Sequence, residues 1–364
     1  MRILLLILLL TPLFILEAYA DDLTAQAAGV FGADSMAQGL TPEERAVSGT
    51  LSPGDYDASS ALRRLWDSFR NRLEQEFRSG IAFVSGLLGI VFLCTLSSAV
   101  CTQEKTGQLI EIIGACTAAA GLLGGIESLI SQTTEAIYRI SDYSKAALPV
   151  VFTAAAAGGA AASAGARFAY VSLALDVLMS IAQNAVIPLI YTYLCLSLSN
   201  MIFPHALASA ICRLAKWAAA TAMTGTTLAF TVYLNLTGAI SGAVDAAAVK
   251  TARSVISGAL PVVGSIVSDA SAAVLSAAVI VRNCSGVFGL ISICSICAGP
   301  FALLSIRMLL FKAVAAVSDA VENKRLQALF AAVGTTAAML MGLLGCSAIM
   351  LFLSFSAAMQ VVTG

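Results

Sequence analysis

Residues 79–103 read SGIAFVSGLLGIVFLCTLSSAVCTQ, a run without Asp, Glu, Lys or Arg. A helix needs roughly 20 apolar residues to cross the hydrocarbon core of a bilayer. Further charge-free runs follow at 146–166, 218–244, 283–306 and 326–364. In hydrocarbon every backbone N–H and C=O must be bonded inside its own segment, and runs rich in Ala, Leu, Ile, Val and Gly meet that condition as α-helices. The chain reads as an all-α polytopic membrane protein.

Composition agrees. With 59% hydrophobic residues, 11% charged residues and a mean hydropathy of +0.90, this 364-residue chain carries less than half the charge of a soluble globule, in which roughly a quarter of residues are charged. Its net charge is −1, so the clustered Lys and Arg that bind nucleic acid are missing and no nucleic-acid partner is expected.

The first residues form a unit of their own. Arg2, the apolar run at 3–10 and Ala18-Tyr19-Ala20 ahead of Asp21-Asp22 have the layout of a secretory signal peptide, residues 1–20, with cleavage expected after Ala20. An uncleaved anchor is the alternative, and in both cases the next segment lies outside the cytoplasm. That segment, 21–80, holds ten of the 21 acids and six of the 20 basic residues. Leu51-Ser52-Pro53-Gly54-Asp55 is a turn signal, since Pro presets φ and Gly tolerates positive φ. An amphipathic helix is expected from about Ser60, with Leu62, Leu65, Trp66, Phe69, Leu73 and Phe77 at helical spacing and arginines on its other faces.

The polytopic helical domain is 81–364. Spans are expected near 81–101, 109–130, 147–166, 169–203, 217–242, 284–306 and 328–358, about seven in all, together with amphipathic or re-entrant helices. The fourth is long and contains Asp176, Asn184 and Pro188, which predicts a kink or a split. Gly121/Gly125 and Gly238/Gly242 place small residues four apart, a spacing that lets helix backbones approach closely within one subunit or between subunits.

Residues 241–283 differ from their surroundings. Asp245, Lys250, Arg253, Asp269, Arg282 and Asn283 recur within a moderately apolar stretch broken by Pro261 and Gly264. Broken backbone at membrane depth persists only against protein or a wet cavity, and charges there face a polar path, an interface or one another. The alternative is a loop with interfacial helices.

The succession Asp245, Lys250, Arg253, Leu260-Pro261, Gly264, Asp269, Arg282-Asn283 and Gly286, preceded by Thr231-Val232-Tyr233-Leu234, resembles the C-terminal half of the stage III sporulation protein AE family. The signal peptide and the Leu51-to-Tyr56 turn match that family's layout; Ala246 and the Ala-rich third span depart from it. The resemblance implies an integral, non-enzymatic subunit in the mother-cell membrane around the forespore of an endospore-forming bacterium. It also implies partners: the other membrane proteins of the stage III sporulation A complex including its ATPase, and stage II sporulation protein Q across the intermembrane space; a homo-oligomer is an expectation of the small-residue faces instead. Together these would form a channel or secretion-like conduit.

Catalytic chemistry is not written in the residues. There is no G-x-x-x-x-G-K-[ST] loop or H-E-x-x-H, and His205 is the single histidine, so His-based triads and multi-His metal sites lack a second imidazole. Cys294 and Cys297 form a C-x-x-C without a second pair, and the cysteines read as small buried hydrophobes. No catalytic residue, cofactor or metal is expected. The rival function is a secondary transporter, whose broken helix around Asp176, Asn184 and Pro188 would hold a substrate or coupling ion near midplane.

Overall fold

The computed structural model describes residues 33–49, 57–100, 104–156, 161–202, 205–259 and 264–359, with backbone alone over 238–284. The expected signal peptide and the turn at 51–56 lie outside these residues. Among the described residues there are helices and no strands: α1 (Ala33–Gln38), α2 (Pro42–Ser48), α3 (Ala58–Val100), α4 (Glu104–Ala155), α5 (Ala161–Ile181), a π-helical turn (Ala182–Val186), α6 (Ile187–Ile202), α7 (Ala206–Ala259), α8 (Gly264–Ala320) and α9 (Lys324–Met359).

The centre of the bundle is the α8–α9 hairpin. It turns at Glu322, whose φ of 59° is left-handed, and Asn323 closes the turn. The Asn323 N–H donates to Ser318 O (2.9 Å), while its side-chain Oδ1 accepts from Leu326 N–H (3.1 Å) and caps α9. In the most apolar windows of these two helices, 78% and 61% of residues are buried, against 28–33% in the other three apolar helices. The two backbones come close where glycine removes a side chain: a Cβ at Gly289 would lie 2.1 Å from Phe355 Cε1, and one at Gly286 2.2 Å from Met359 Sδ. At 1.5 Å per residue, the 36-residue segments Ser285–Ala320 and Lys324–Met359 make a rod about 54 Å long, well beyond a ~30 Å hydrocarbon core.

Around the rod, α3 and α4 form a second antiparallel pair. Asp57 starts α3: its Oδ1 accepts from Ser59 N–H (3.0 Å), Ser59 Oγ–H (2.7 Å) and Ser60 N–H (3.2 Å), and these bonds, the Ser59 hydroxyl first, lower its pKa. The charged stretch and the first apolar run are one continuous 43-residue helix, so residue 80 falls inside α3. No proline interrupts the stretch, and the helix is buried at helical spacing at its two ends, at Ala58, Ala61 and Leu65 and again at Gly80, Val84, Leu87, Val91 and Cys94. Close approach to α4 is made at Gly114, whose Cβ would lie 2.0 Å from Cys94 Sγ.

The expected count of about seven spans is not confirmed among the described residues. Five helices among the described residues are long and apolar enough to cross a membrane: Ala58–Val100, Lys105–Thr153, Ala164–Met201, Ser285–Ala320 and Lys324–Met359. The window 109–130 and the first part of 147–166, up to residue 155, lie on the single helix α4, because the polar residues between them are compatible with a helix whose other face is buried at Ile137, Ile140, Tyr143 and Ala147. The window 217–242 lies on α7, its last residues within the stretch described by backbone alone. The fourth window stays one path. A π-helical turn at Ala182–Val186 precedes Pro188, accommodating its ring and missing N–H with a bulge instead of a break.

Candidate functional site

Two polar constellations join elements far apart in sequence. The first fastens α1 and α2 to the bundle. Thr41 and Glu44 form a capping box at the start of α2. Met36, Leu40, Glu44 and Ser48, four residues apart, are all buried. The Glu44 carboxylate accepts from Arg139 on α4, and Glu43 accepts from Arg72 on α3 at 2.5 Å. Ser292 on α8 donates to Ser48 Oγ at 3.3 Å. The Tyr143 hydroxyl, also buried, lies beside Ser292 without a hydrogen bond of normal geometry. Gly49 ends α2 with φ 80°, a conformation a side chain would strain.

The second constellation lies at the opposite end of the rod. Arg325, at the start of α9, pairs with Glu111 on α4 (Nε to Oε2, 3.7 Å) and donates to the carbonyl of Met201 on α6 (2.9 Å). Both partners are partly buried, the geometry in which a charge pair inside a membrane protein is retained. Neither constellation is visible in local spacing, since 95 residues separate Glu44 from Arg139 and 214 separate Glu111 from Arg325.

The residues singled out from the sequence are scattered. Asp176 is exposed on the outer face of α5 and makes no ion pair among the described residues. Asn184 donates to Ser180 Oγ (3.0 Å) one turn away. Gly125 packs inside the subunit, its Cβ position 3.4 Å from Phe83 Cζ, while Gly121 faces open space. Gly238, Gly242, Asp245, Lys250 and Arg253 lie on the α7 backbone, and Gly264, Asp269, Arg282 and Asn283 on α8, within the stretch described by backbone alone; Pro261 lies outside the described residues. The glycines that do mediate the tightest approaches are Gly80, Gly114, Gly286 and Gly289. A signal was present for the last two, a Gly-x-x-Gly pair opening an apolar run.

Among the described residues no group of His, Cys, Asp and Glu is arranged to hold a metal ion. Cys294 and Cys297 are free thiols within α8. His205 serves the backbone: its Nδ1 accepts from Leu207 N–H (3.3 Å) and its own N–H donates to Asn200 Oδ1 (2.9 Å), so it joins the end of α6 to the start of α7.

Comparison with known proteins adds what geometry does not. The family model described as stage III sporulation protein AE matches residues 47–362. Stage III sporulation protein AE of Bacillus subtilis (strain 168) is 24% identical over 195 residues, covering 54% of this chain. The matched region spans 49% of that relative, so the chain aligns with about half of its length. No solved structure matches. With nearly the whole polytopic region matched, from before α3 to the end of α9, the chain belongs to the stage III sporulation protein AE family.

Proposed function

We propose that this chain is a non-enzymatic integral membrane subunit of the channel or secretion-like complex that links mother cell and forespore during stage III of sporulation. The observation that carries the reading is the family match over 47–362, joined to five helices long and apolar enough for a membrane. On this reading the chain sits in the mother-cell membrane around the forespore with its N-terminal segment extracytoplasmic. Its partners are the other stage III sporulation A membrane proteins, their ATPase, and stage II sporulation protein Q across the intermembrane space. The segment 241–283 and the small residues Gly121, Gly238 and Gly242 are its proposed contacts with them.

The transporter reading loses its main support, since Asp176 points outward and the helix that carries it is bulged, not split. Expression of this chain in a Bacillus subtilis strain lacking the relative tests the proposal. Restored spore yield and co-purification with the ATPase are expected. Restored yield without any partner bound, together with solute uptake by the purified chain alone, would overturn it in favour of a transporter.

A further inference from the structure

The carboxylate of Glu44 fills its place against α4 only in part. Its two hydrogen bonds, from the Arg139 guanidinium and from the Thr41 N–H (2.9 Å), both fall on Oε2, and among the described residues Oε1 accepts none. The capping box accounts for this, because it ties Glu44 to the start of its own helix while Arg139 reaches it from α4. An arginine fork binds a free carboxylate through two parallel N–H···O bonds, so half of that match is unmade. One turn further along α4, the Tyr143 hydroxyl stands beside Ser292 and near Glu44; the residue is 1% exposed and the hydroxyl has no hydrogen-bond partner. A donor left bare in a buried space costs free energy and is an exception in native folds. Arg139 and Tyr143 thus present donors one turn apart to a space whose carboxylate does not fully engage them.

What covers this space is lightly attached. The helices α1 and α2 have six and seven residues, whereas a helix standing alone needs roughly 12–15. Gly39 lies on the Tyr143 ring, its Cβ position 3.3 Å from Cδ2, and Met36 and Leu40 are buried. The other contacts are polar: Glu43 with Arg72, Ser292 on Ser48, and the Arg64 Nε–H on Val47 O (3.2 Å). Polar contacts exchange for water at little net cost, and the exposed Glu43–Arg72 pair holds least. Glu135, Asp142 and Lys145, which flank Arg139 and Tyr143 on α4, are exposed, so the space lies close to water.

We propose that Arg139, Tyr143 and Ser292 form a carboxylate site, held by Glu44 in this state, which an acidic helix of a partner protein takes over by displacing α1–α2. Charge complementarity selects the occupant. Lifting α2 removes Glu43 and Glu44 together and leaves Arg72 on α3 and Arg139 on α4 without their carboxylates. It also frees the Ser292 hydroxyl, which now donates to Ser48. A partner helix with adjacent acidic residues restores both ion pairs, and a carboxylate not tied to a cap of its own reaches the Arg139 fork and the Tyr143 hydroxyl at once. The α1–α2 segment is then a strap that keeps the site closed until such a partner binds.

The site is made of this chain's own residues and does not rest on the sporulation reading, so the purified full-length chain in detergent tests it. The probe is a fluorescent peptide of the 33–49 sequence carrying Thr41→Ala, which frees its Glu44 from the cap. It is expected to bind the Glu44→Gln chain, whose strap is weakened, at least tenfold more tightly than the unaltered chain. Adding Arg139→Gln or Tyr143→Phe to that chain should weaken binding at least fivefold, the second without a shift in the thermal midpoint. A peptide that also carries Glu44→Gln should bind at least tenfold less. The Ser48→Cys/Ser292→Cys chain should lose binding when oxidised and regain it on reduction. No binding to the Glu44→Gln chain, equal affinity for the two peptides, full binding by the Tyr143→Phe chain, or a disulfide that joins two copies instead of closing within one, would each overturn the inference while leaving the sporulation role standing.

Discussion

The α8–α9 and α3–α4 hairpins are both long antiparallel helix pairs, yet they solve different problems. In α8–α9 most of the most apolar window of each helix is buried, and glycines bring the backbones together against Phe355 and Met359. In α3–α4 one half is charged and the other apolar, with Leu93, Leu96, Leu109 and Ile113 all more than half exposed. The first hairpin is packed as a protein core and the second is faced as a surface. Apolar content alone therefore does not separate a lipid-facing helix from a buried one; close glycine contacts and the placement of charges on neighbouring helices do.

The sharpest way to break that comparison is a pair of glycine substitutions. Gly289→Leu drives a side chain into Phe355 and is expected to destabilise by about 3 kcal/mol or more, with a marked fall in the thermal midpoint followed by circular dichroism in detergent. Gly121→Leu on α4 enters open space and should change stability by no more than about 1 kcal/mol, in the stabilising direction through helix propensity. Similar losses in both would erase the distinction between core and surface hairpins.

Smaller effects probe how the N-terminal helices are fastened to the charged half of α3–α4. Glu44→Ala strands the partly buried Arg139 and should cost about 2 kcal/mol, read as faster proteolysis within 33–49. Ser48→Ala removes one neutral hydrogen bond to Ser292 and should cost about 1 kcal/mol by the same assay. Tyr143→Phe, whose hydroxyl has no well-formed hydrogen bond, should be close to neutral; a loss as large as that of Glu44→Ala would mean that the hydroxyl is a working part of the constellation.

The mildest effect is at the start of α3. Asp57 has a lowered pKa in the fold, so the stabilisation it provides is present above the ordinary Asp range and is lost as pH falls through the lowered value. Amide exchange at the first turn of α3 should quicken across that acid window, and Asp57→Ala should remove the pH dependence. An unchanged pH profile in the variant would show that the cap does not set local order.

Much of this was legible from residues alone because it depends on local chemistry. Charge-free runs declare helices in hydrocarbon, Leu62 to Phe77 alternate with arginines at a helical period, and the pattern from Asp245 to Gly286 identifies the family that 47–362 then matches. Among the described residues five helices, not about seven, are long and apolar enough to cross a membrane, and part of that difference has a definite reason. Hydropathy windows treat the polar residues of 131–146 as a loop, whereas Ile137, Ile140 and Tyr143 turn that stretch into the buried face of a continuing helix. Gly121/Gly125 was readable as a small-residue spacing, but which of the two glycines touches another helix was not.

By itself, then, the sequence determined helix, membrane and family, all of which follow from short-range periodicity and from residue types met along the chain. Tertiary structure alone decided that Glu44 meets Arg139, that Glu111 meets Arg325, and that Asp176 faces outward. The physical reason is that these outcomes depend on the relative axial offset of packed helices. That offset is set by how side chains such as Phe355, Leu310 and Met223 fit against glycines on a neighbouring helix, contacts between residues far apart in sequence that no local pattern encodes.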